Sequence, residues 1–193
     1  KGGRGDQFCD IPRDGERARY FLKIQDGCEQ FCSYCIIPYA RGPLKSRPAE
    51  EVINEVKEAV AAGYGEIVLT GIHLGLYGKE TDNRQPTTDN NLVGLLNKLL
   101  KIKDLGRIRL SSIEVTEVND DLIKLMALRL RSGQAGQGKI CRHLHIPLQA
   151  GCDKILKRMN RPYDTKYFKS VVNKLRKVLT PLHPPLQGGC RAR

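Results

Sequence analysis

The stretch Arg19-Tyr-Phe-Leu-Lys-Ile-Gln25-Asp-Gly-Cys28-Glu-Gln-Phe-Cys32-Ser-Tyr-Cys35 decides how this chain reads. Tyr20, Leu22 and Ile24 alternate with their neighbours as on a half-buried strand. The strand runs straight into three cysteines spaced C-x3-C-x2-C, so a wrapped loop turns all three toward one centre. Three thiolates hold three irons of an iron–sulfur cubane and leave the fourth iron without a protein ligand. The amino and carboxylate groups of S-adenosylmethionine suit that open iron, and the pair makes a radical generator. A structural zinc ion is the rival reading, with Cys9, Cys141, Cys152 or His73 as a fourth ligand. Zinc sites in small domains usually pair two knuckles, and no second C-x2-C or C-x4-C occurs here.

Downstream, helix and strand patterns take turns. Pro48 opens a helix with Glu50 and Glu51 in its first turn, where carboxylates suit the positive end of the dipole. Val52, Ile53, Val56, Ala59 and Val60 form its apolar stripe, and Gly63 is placed to end it. Residues 66–71, 107–112 and 143–148 read as further strands. Asn91 is positioned to cap a helix carrying Leu92, Leu95, Leu96, Leu99 and Leu100. Residues 119–127 and 165–179 read as two more helices. Four β–α units in succession imply an α/β fold with parallel strands joined by helical crossovers. Residues 1–18 read as a linker remnant, 129–138 as a flexible insertion, and 180–193 as a disordered tail.

Active sites in such folds gather at the carboxyl ends of the strands. Four strand exits would therefore converge: the cysteine loop, then residues 70–73, 111–114 and 148–151. Tyr34, beside the last cysteine, either faces the open iron or packs at the loop base. Gly71 and His73 leave the second strand in a glycine-flanked loop, where His73 either meets a ligand or is a surface ring. Glu114 and Gln149 are the polar side chains suited to a ribose or an amino-acid moiety, and capping of the following loops accounts for them equally. Cys9, Cys141, Cys152 and Cys190 have no spacing partner and read as ordinary thiols.

Composition narrows the classes. No run of eighteen apolar residues occurs, so no membrane span is expected. Seven cysteines, three of them crowded into one loop and no export signal in view, argue for reduced thiols rather than a disulfide framework. The net charge is +12, from 33 basic and 21 acidic residues. Residues 153–177 concentrate nine basic side chains against two acids. That field would attract the phosphates of a nucleic acid, although charge alone favours a solvated helix face.

As a set, these residues resemble the radical SAM methylthiotransferases. Residues 22–42 are similar to that family's cluster loop. Residues 67–75 (Ile-Val-Leu-Thr-Gly-Ile-His-Leu-Gly), 109–114 (Arg-Leu-Ser-Ser-Ile-Glu), 143–152 and 157–163 (Lys-Arg-Met-Asn-Arg-Pro-Tyr) continue the likeness. The Gly-Ile-His-Leu-Gly and Ser-Ser-Ile-Glu forms resemble the branch acting on threonylcarbamoyladenosine beside the tRNA anticodon. The likeness spans residues 17–179, the insertion excepted.

The resemblance implies a partial (β/α) barrel over residues 19–179, with a 4Fe–4S cluster on Cys28, Cys32 and Cys35 and S-adenosylmethionine on its open iron. It implies reductive cleavage to a 5′-deoxyadenosyl radical, hydrogen abstraction from adenine, insertion of sulfur from a second 4Fe–4S cluster, and methylation by a further S-adenosylmethionine. It also implies tRNA as partner, an electron donor such as a flavodoxin or ferredoxin, a monomer, and the cytoplasm. Departures from the family are equally specific. Only Cys9 precedes Cys28, so the second cluster has no visible ligands. The family's small tRNA-gripping β domain is absent, and residues 180–193 stand where a G-x-I-x-G-x-x-E strand belongs. These departures predict a fragment incomplete for full turnover. The alternatives are a methylthiotransferase for another adenosine or a ribosomal protein, and a non-catalytic, metal-stabilised RNA-binding module.

Overall fold

The computed structural model describes residues 18–79, 91–131 and 139–179. Four strands, β1 (Arg19–Asp26), β2 (Lys45–Ser46), β3 (Glu66–Gly71) and β4 (Arg107–Leu110), form a sheet in the order β2-β1-β3-β4. β1, β3 and β4 are parallel and β2 is antiparallel to β1. Tyr20, Leu22 and Ile24 are buried on one face of β1, whereas Phe21 and Lys23 are exposed on the other. In register beside them, Leu22 pairs with Leu69 of β3, and Leu69 with Leu110 of β4.

The helices cover that apolar face. They are α1 (Ile37–Arg41), α2 (Ala49–Ala61), α3 (Leu92–Leu99), α4 (Asp120–Arg131), α5 (Asp153–Arg158) and α6 (Thr165–Leu179). Val52, Val56 and Ala59 of α2 and Leu92, Leu95, Leu96 and Leu99 of α3 join Leu22, Ile24, Ile67, Leu69, Ile108 and Leu110 in one core. Each of these Val, Leu and Ile side chains contributes roughly 1.5–3 kcal/mol by leaving water. Two helix starts follow the sequence pattern: Asn91 Oδ1 accepts from Gly94 N at 2.9 Å, and Asn119 Oδ1 from Leu122 N at 2.8 Å. Among the described residues no helix is long and apolar enough to cross a membrane.

Glu66 closes the amino end of the sheet on the face opposite the helices. Its buried carboxylate takes Arg109 Nε at 2.6 Å, Arg107 Nε at 2.9 Å and Arg19 Nε at 3.1 Å. Arg19, Glu66 and Arg107 lie opposite one another across three strands, so the charges alternate along the row.

Two expectations change. Residues 143–148 are not a continuous strand, and contact with β4 is reduced to two parallel bridges, Ile108 with Ile140 and Ser112 with His145. Between the two bridges the five residues 108–112 face the six residues 140–145, and that extra residue interrupts the ladder. Pro147 adds a position without a donor. The parallel direction survives although the ladder does not. Second, α4 runs on to Arg131, so residues 129–131 of the expected insertion are helical. The rest of that insertion, the expected tail and the linker up to residue 17 lie outside the described residues. α1, β2 and α5 were not expected. α1 is a five-residue turn started with Pro38 near its N-terminus, too short to carry a period.

Candidate functional site

The cysteine loop leaves the carboxyl end of β1 through a narrow neck. Gly27 has φ +77°, and a Cβ built on it would lie 1.8 Å from Pro43 O. Only glycine fits there, because both the left-handed backbone and the close approach exclude a side chain. Next to it, Cys28 N–H donates to Gly42 O at 3.0 Å and ties the two ends of the loop together. Inside, Cys35 N–H donates to Cys32 O at 3.0 Å, and Gln30 N–H approaches Cys28 Sγ at 3.5 Å. Cys28 and Cys32 are buried and Cys35 half-buried, all three as free thiols. Burial pushes the Cys28 thiol up, and the neighbouring Cys32 and Cys35 add to the shift.

The far side of the loop is held by the end of α5, some 125–130 residues away. Ser33 Oγ donates to Arg158 O at 2.8 Å, and Ser33 N–H to Met159 O at 3.3 Å. Asn160 Nδ2 donates to Phe31 O at 3.0 Å, while Gln30 Nε2 donates to Asn160 O at 3.1 Å. Phe31 and Asn160 face each other in the left-handed region, at φ 49° and 55°. Two such costly conformations persist because the bonds between them fix both. Arg161 follows directly: Nη1 donates to Cys32 Sγ at 3.1 Å and Nη2 to Glu114 Oε2.

Glu114 opens a 3-10 turn after β4 and links the loop to β3. Its carboxyl is raised by burial, which outweighs the pull of Arg161, and nearby Glu117 pushes the same way. Glu117 is buried, with Oε1 on His73 Nδ1 and Oε2 accepting from Gly75 N at 3.0 Å. His73 sits at φ 51° just past β3. Gly75 is needed because an added Cβ would meet Glu117 Cβ at 2.4 Å. At Gly71 the same construction meets Gln25 O at 2.7 Å, so the end of β3 is pressed against the end of β1, from which the cysteine loop leaves.

Of the residues singled out in the sequence, Cys28, Cys32, Cys35, Tyr34, Glu114 and His73 share one electrostatic neighbourhood. Tyr34 is exposed, and its hydroxyl is pushed up by burial of its inner part and by Cys32. Gly71 is explained by backbone packing. Gln149 is exposed at φ 66°, and the carbonyl before it accepts from Tyr163 Oη at 3.0 Å. Cys141 is half-buried and Cys152 exposed. Arg161, Glu117, Asn160 and Ser33 were missed. Arg161 was one charge in a basic run, while the Glu114/Glu117 spacing of three was a legible capping-box signal.

The profile of the radical SAM superfamily matches residues 22–183. The chain belongs to the radical SAM superfamily. Threonylcarbamoyladenosine tRNA methylthiotransferase MtaB of Bacillus subtilis is 45% identical over 174 residues, covering 90% of this chain and 36% of that protein. The tRNA-2-methylthio-N(6)-dimethylallyladenosine synthase of Carboxydothermus hydrogenoformans is 38% identical, covering 82% and 33%. This radical SAM chain thus spans about a third of the length of the curated relatives it matches. Among solved structures, the radical S-adenosylmethionine methyltransferase TsrM from Kitasatospora setae superposes with a TM-score of 0.60 at 17% identity, covering 82% of this chain and 28% of that one. That likeness shows a shared fold.

A superfamily member implies an iron–sulfur cluster, and the donor chemistry fits one. Three free thiols occupy one short loop whose two ends are tied. Among the described residues no three His, Cys, Asp or Glu side chains are grouped so as to hold a metal ion. Three sulfurs on one zinc stand about 3.8 Å apart, given tetrahedral bonds of about 2.3 Å. A cubane takes one cysteine per iron and so accepts a wider spread.

Proposed function

We propose that this chain is the radical-generating core of a tRNA methylthiotransferase acting on threonylcarbamoyladenosine next to the anticodon. The observation that carries the reading is the convergence of the loop bearing Cys28, Cys32 and Cys35 with the exits of β3 and β4, through Arg161, Glu114 and Glu117. The choice of substrate rests on the name of the Bacillus subtilis relative. In this reading the three cysteines hold a 4Fe–4S cluster, and S-adenosylmethionine lies against Tyr34, Gly71, His73, Glu114 and Gln149. Held by Cys28, Cys32 and Cys35, a bound cluster would supply the electron for reductive cleavage of S-adenosylmethionine.

The chain's own residues do the positioning. The tied neck at Gly27 and Gly42 fixes Cys28, and the Asn160 and Ser33 bonds fix the backbone around Cys32. Glu114, beside the cysteines and half-buried, is placed to accept hydrogen bonds from a ribose. The basic residues 154–177 lie mostly on exposed surface of α5 and α6 and suit tRNA phosphates. A flavodoxin or ferredoxin is the electron donor, and the working compartment is the cytoplasm.

The test is anaerobic incubation of the reconstituted chain with dithionite, S-adenosylmethionine and threonylcarbamoyl-modified tRNA. The reading predicts release of 5′-deoxyadenosine, abolished in Cys32→Ala. A chain that binds the tRNA but forms no 5′-deoxyadenosine is the non-catalytic binding module instead. The relative that acts on dimethylallyladenosine supports a second substrate at 38% identity. Greater stimulation of 5′-deoxyadenosine release by dimethylallyl-modified tRNA would favour it.

A further inference from the structure

We propose that Arg161 is a positioning residue of the cluster site: it ties Cys32 to Glu114 at the β4 exit, and its hydrogen bond to sulfur eases reduction of the cluster. This rests on the reading that Cys28, Cys32 and Cys35 hold that cluster.

The Arg161 side chain is 4% exposed. Its fork divides between two elements, with Nη1 on Cys32 Sγ at 3.1 Å and Nη2 on Glu114 Oε2. The guanidinium carbon lies 5.2 Å from the centroid of the Tyr163 ring, which covers one face. Nε has no hydrogen-bond partner, so the buried cation is aimed by its two ends rather than saturated. The backbone is held as firmly: Arg161 N–H donates to Leu156 O at 3.0 Å, and left-handed Asn160 before it is bonded into the loop.

Neutralising Glu114 does not account for this arrangement. A buried ion pair roughly breaks even against apolar residues of similar volume, so stability alone is a poor reason for it. The contact with sulfur is the part that a purely structural pair lacks. A lysine would offer a point charge and could not span both partners with the same fork. Hydrogen bonds and positive charge at a cluster's sulfurs favour the more negative, reduced form and so raise the reduction potential. Arg161 therefore makes the reducing electron easier to place.

The experiment reconstitutes the full chain with iron and sulfide, measures both per chain, and follows reduction potentiometrically by electron paramagnetic resonance. Variants are Arg161→Met, Arg161→Lys and the double Arg161→Met/Glu114→Gln, which leaves no lone buried charge if the single variant fails to fold. The expected result is a cluster at least tenfold harder to reduce in Arg161→Met, equivalent to 59 mV for one electron. Arg161→Lys recovers part of the difference, and the double variant shifts in the same direction. Loss of iron from a folded Arg161→Met chain also supports the assignment, because Cys32 is then out of place. Wild-type potential and iron content in Arg161→Met, or in the double variant where the single one does not fold, overturn it. A wild-type chain that takes up no cluster overturns the proposed function, and this assignment with it.

Discussion

Replacing Gly27 and Gly42 by alanine, one at a time, separates two costs at the neck of the cysteine loop. Both glycines have positive φ, +77° and +73°, and Gly42 at ψ −159° lies in a region essentially reserved for glycine. An alanine held at such a backbone conformation costs about 1–3 kcal/mol at either position. Only Gly27 adds a collision, because its Cβ would lie 1.8 Å from Pro43 O and 2.5 Å from Pro43 C, both backbone atoms. At Gly42 the added Cβ meets nothing within 4 Å. Overpacking of this kind costs about 1–3 kcal/mol more when the backbone must shift. Gly42→Ala is thus expected to lose about 1–3 kcal/mol and Gly27→Ala about 2–6 kcal/mol. Urea titrations followed by circular dichroism give both values, since a difference in midpoint at constant slope is a difference in stability. Iron per chain after reconstitution adds a functional reading: Gly27→Ala moves Cys28 and lowers uptake, whereas Gly42→Ala keeps it near wild type. Equal stabilities and equal uptake in the two variants would refute the account of the neck.

The remaining predictions concern buried carboxylates. Arg109, hydrogen-bonded to Glu66, holds that carboxyl below its ordinary value of 4.5. Stability from Glu66 is therefore fully present above about pH 4.5 and is lost as pH falls through the lower folded value. Glu66→Gln costs about 2 kcal/mol at neutral pH, and its stability gap to wild type should close as urea titrations move below pH 4.5; a gap that widens there contradicts the assignment. Glu117→Ala strands the N–H groups of Gly75 and Glu114 and removes the partner of His73. A loss of about 1–3 kcal/mol is expected from those unpaired donors, with His73→Ala milder, and the reverse order would contradict the network.

Much of the fold was legible because its signals are periodic and local. β1 and β4 carry apolar residues at alternate positions, β3 is a short apolar run closed by glycine, and Asn91, Asn119 and Gly63 mark helix boundaries where the structure has them. What failed depends on pairing or on very short segments. The strand pattern at 143–148 is real in composition, yet its register against β4 slips by one residue, which no single segment reveals. The three cysteines announce themselves through spacing. Arg161 does not, because its role comes from the turn at Asn160 and from a loop roughly 130 residues earlier. Gly71 was chosen for a ligand on the strength of its strand-exit position, and its first physical duty is the close approach to Gln25. Strand-exit position does not say which residues there serve packing.

The central claim is that Cys28, Cys32 and Cys35 hold a cubane with one open iron. Its most direct test is electron paramagnetic resonance of the anaerobically reconstituted, reduced chain with and without S-adenosylmethionine. The account predicts a reduced 4Fe–4S signal that shifts when S-adenosylmethionine is added and is missing in Cys32→Ala. One tightly held zinc per chain, with no cluster signal under either condition, would contradict it.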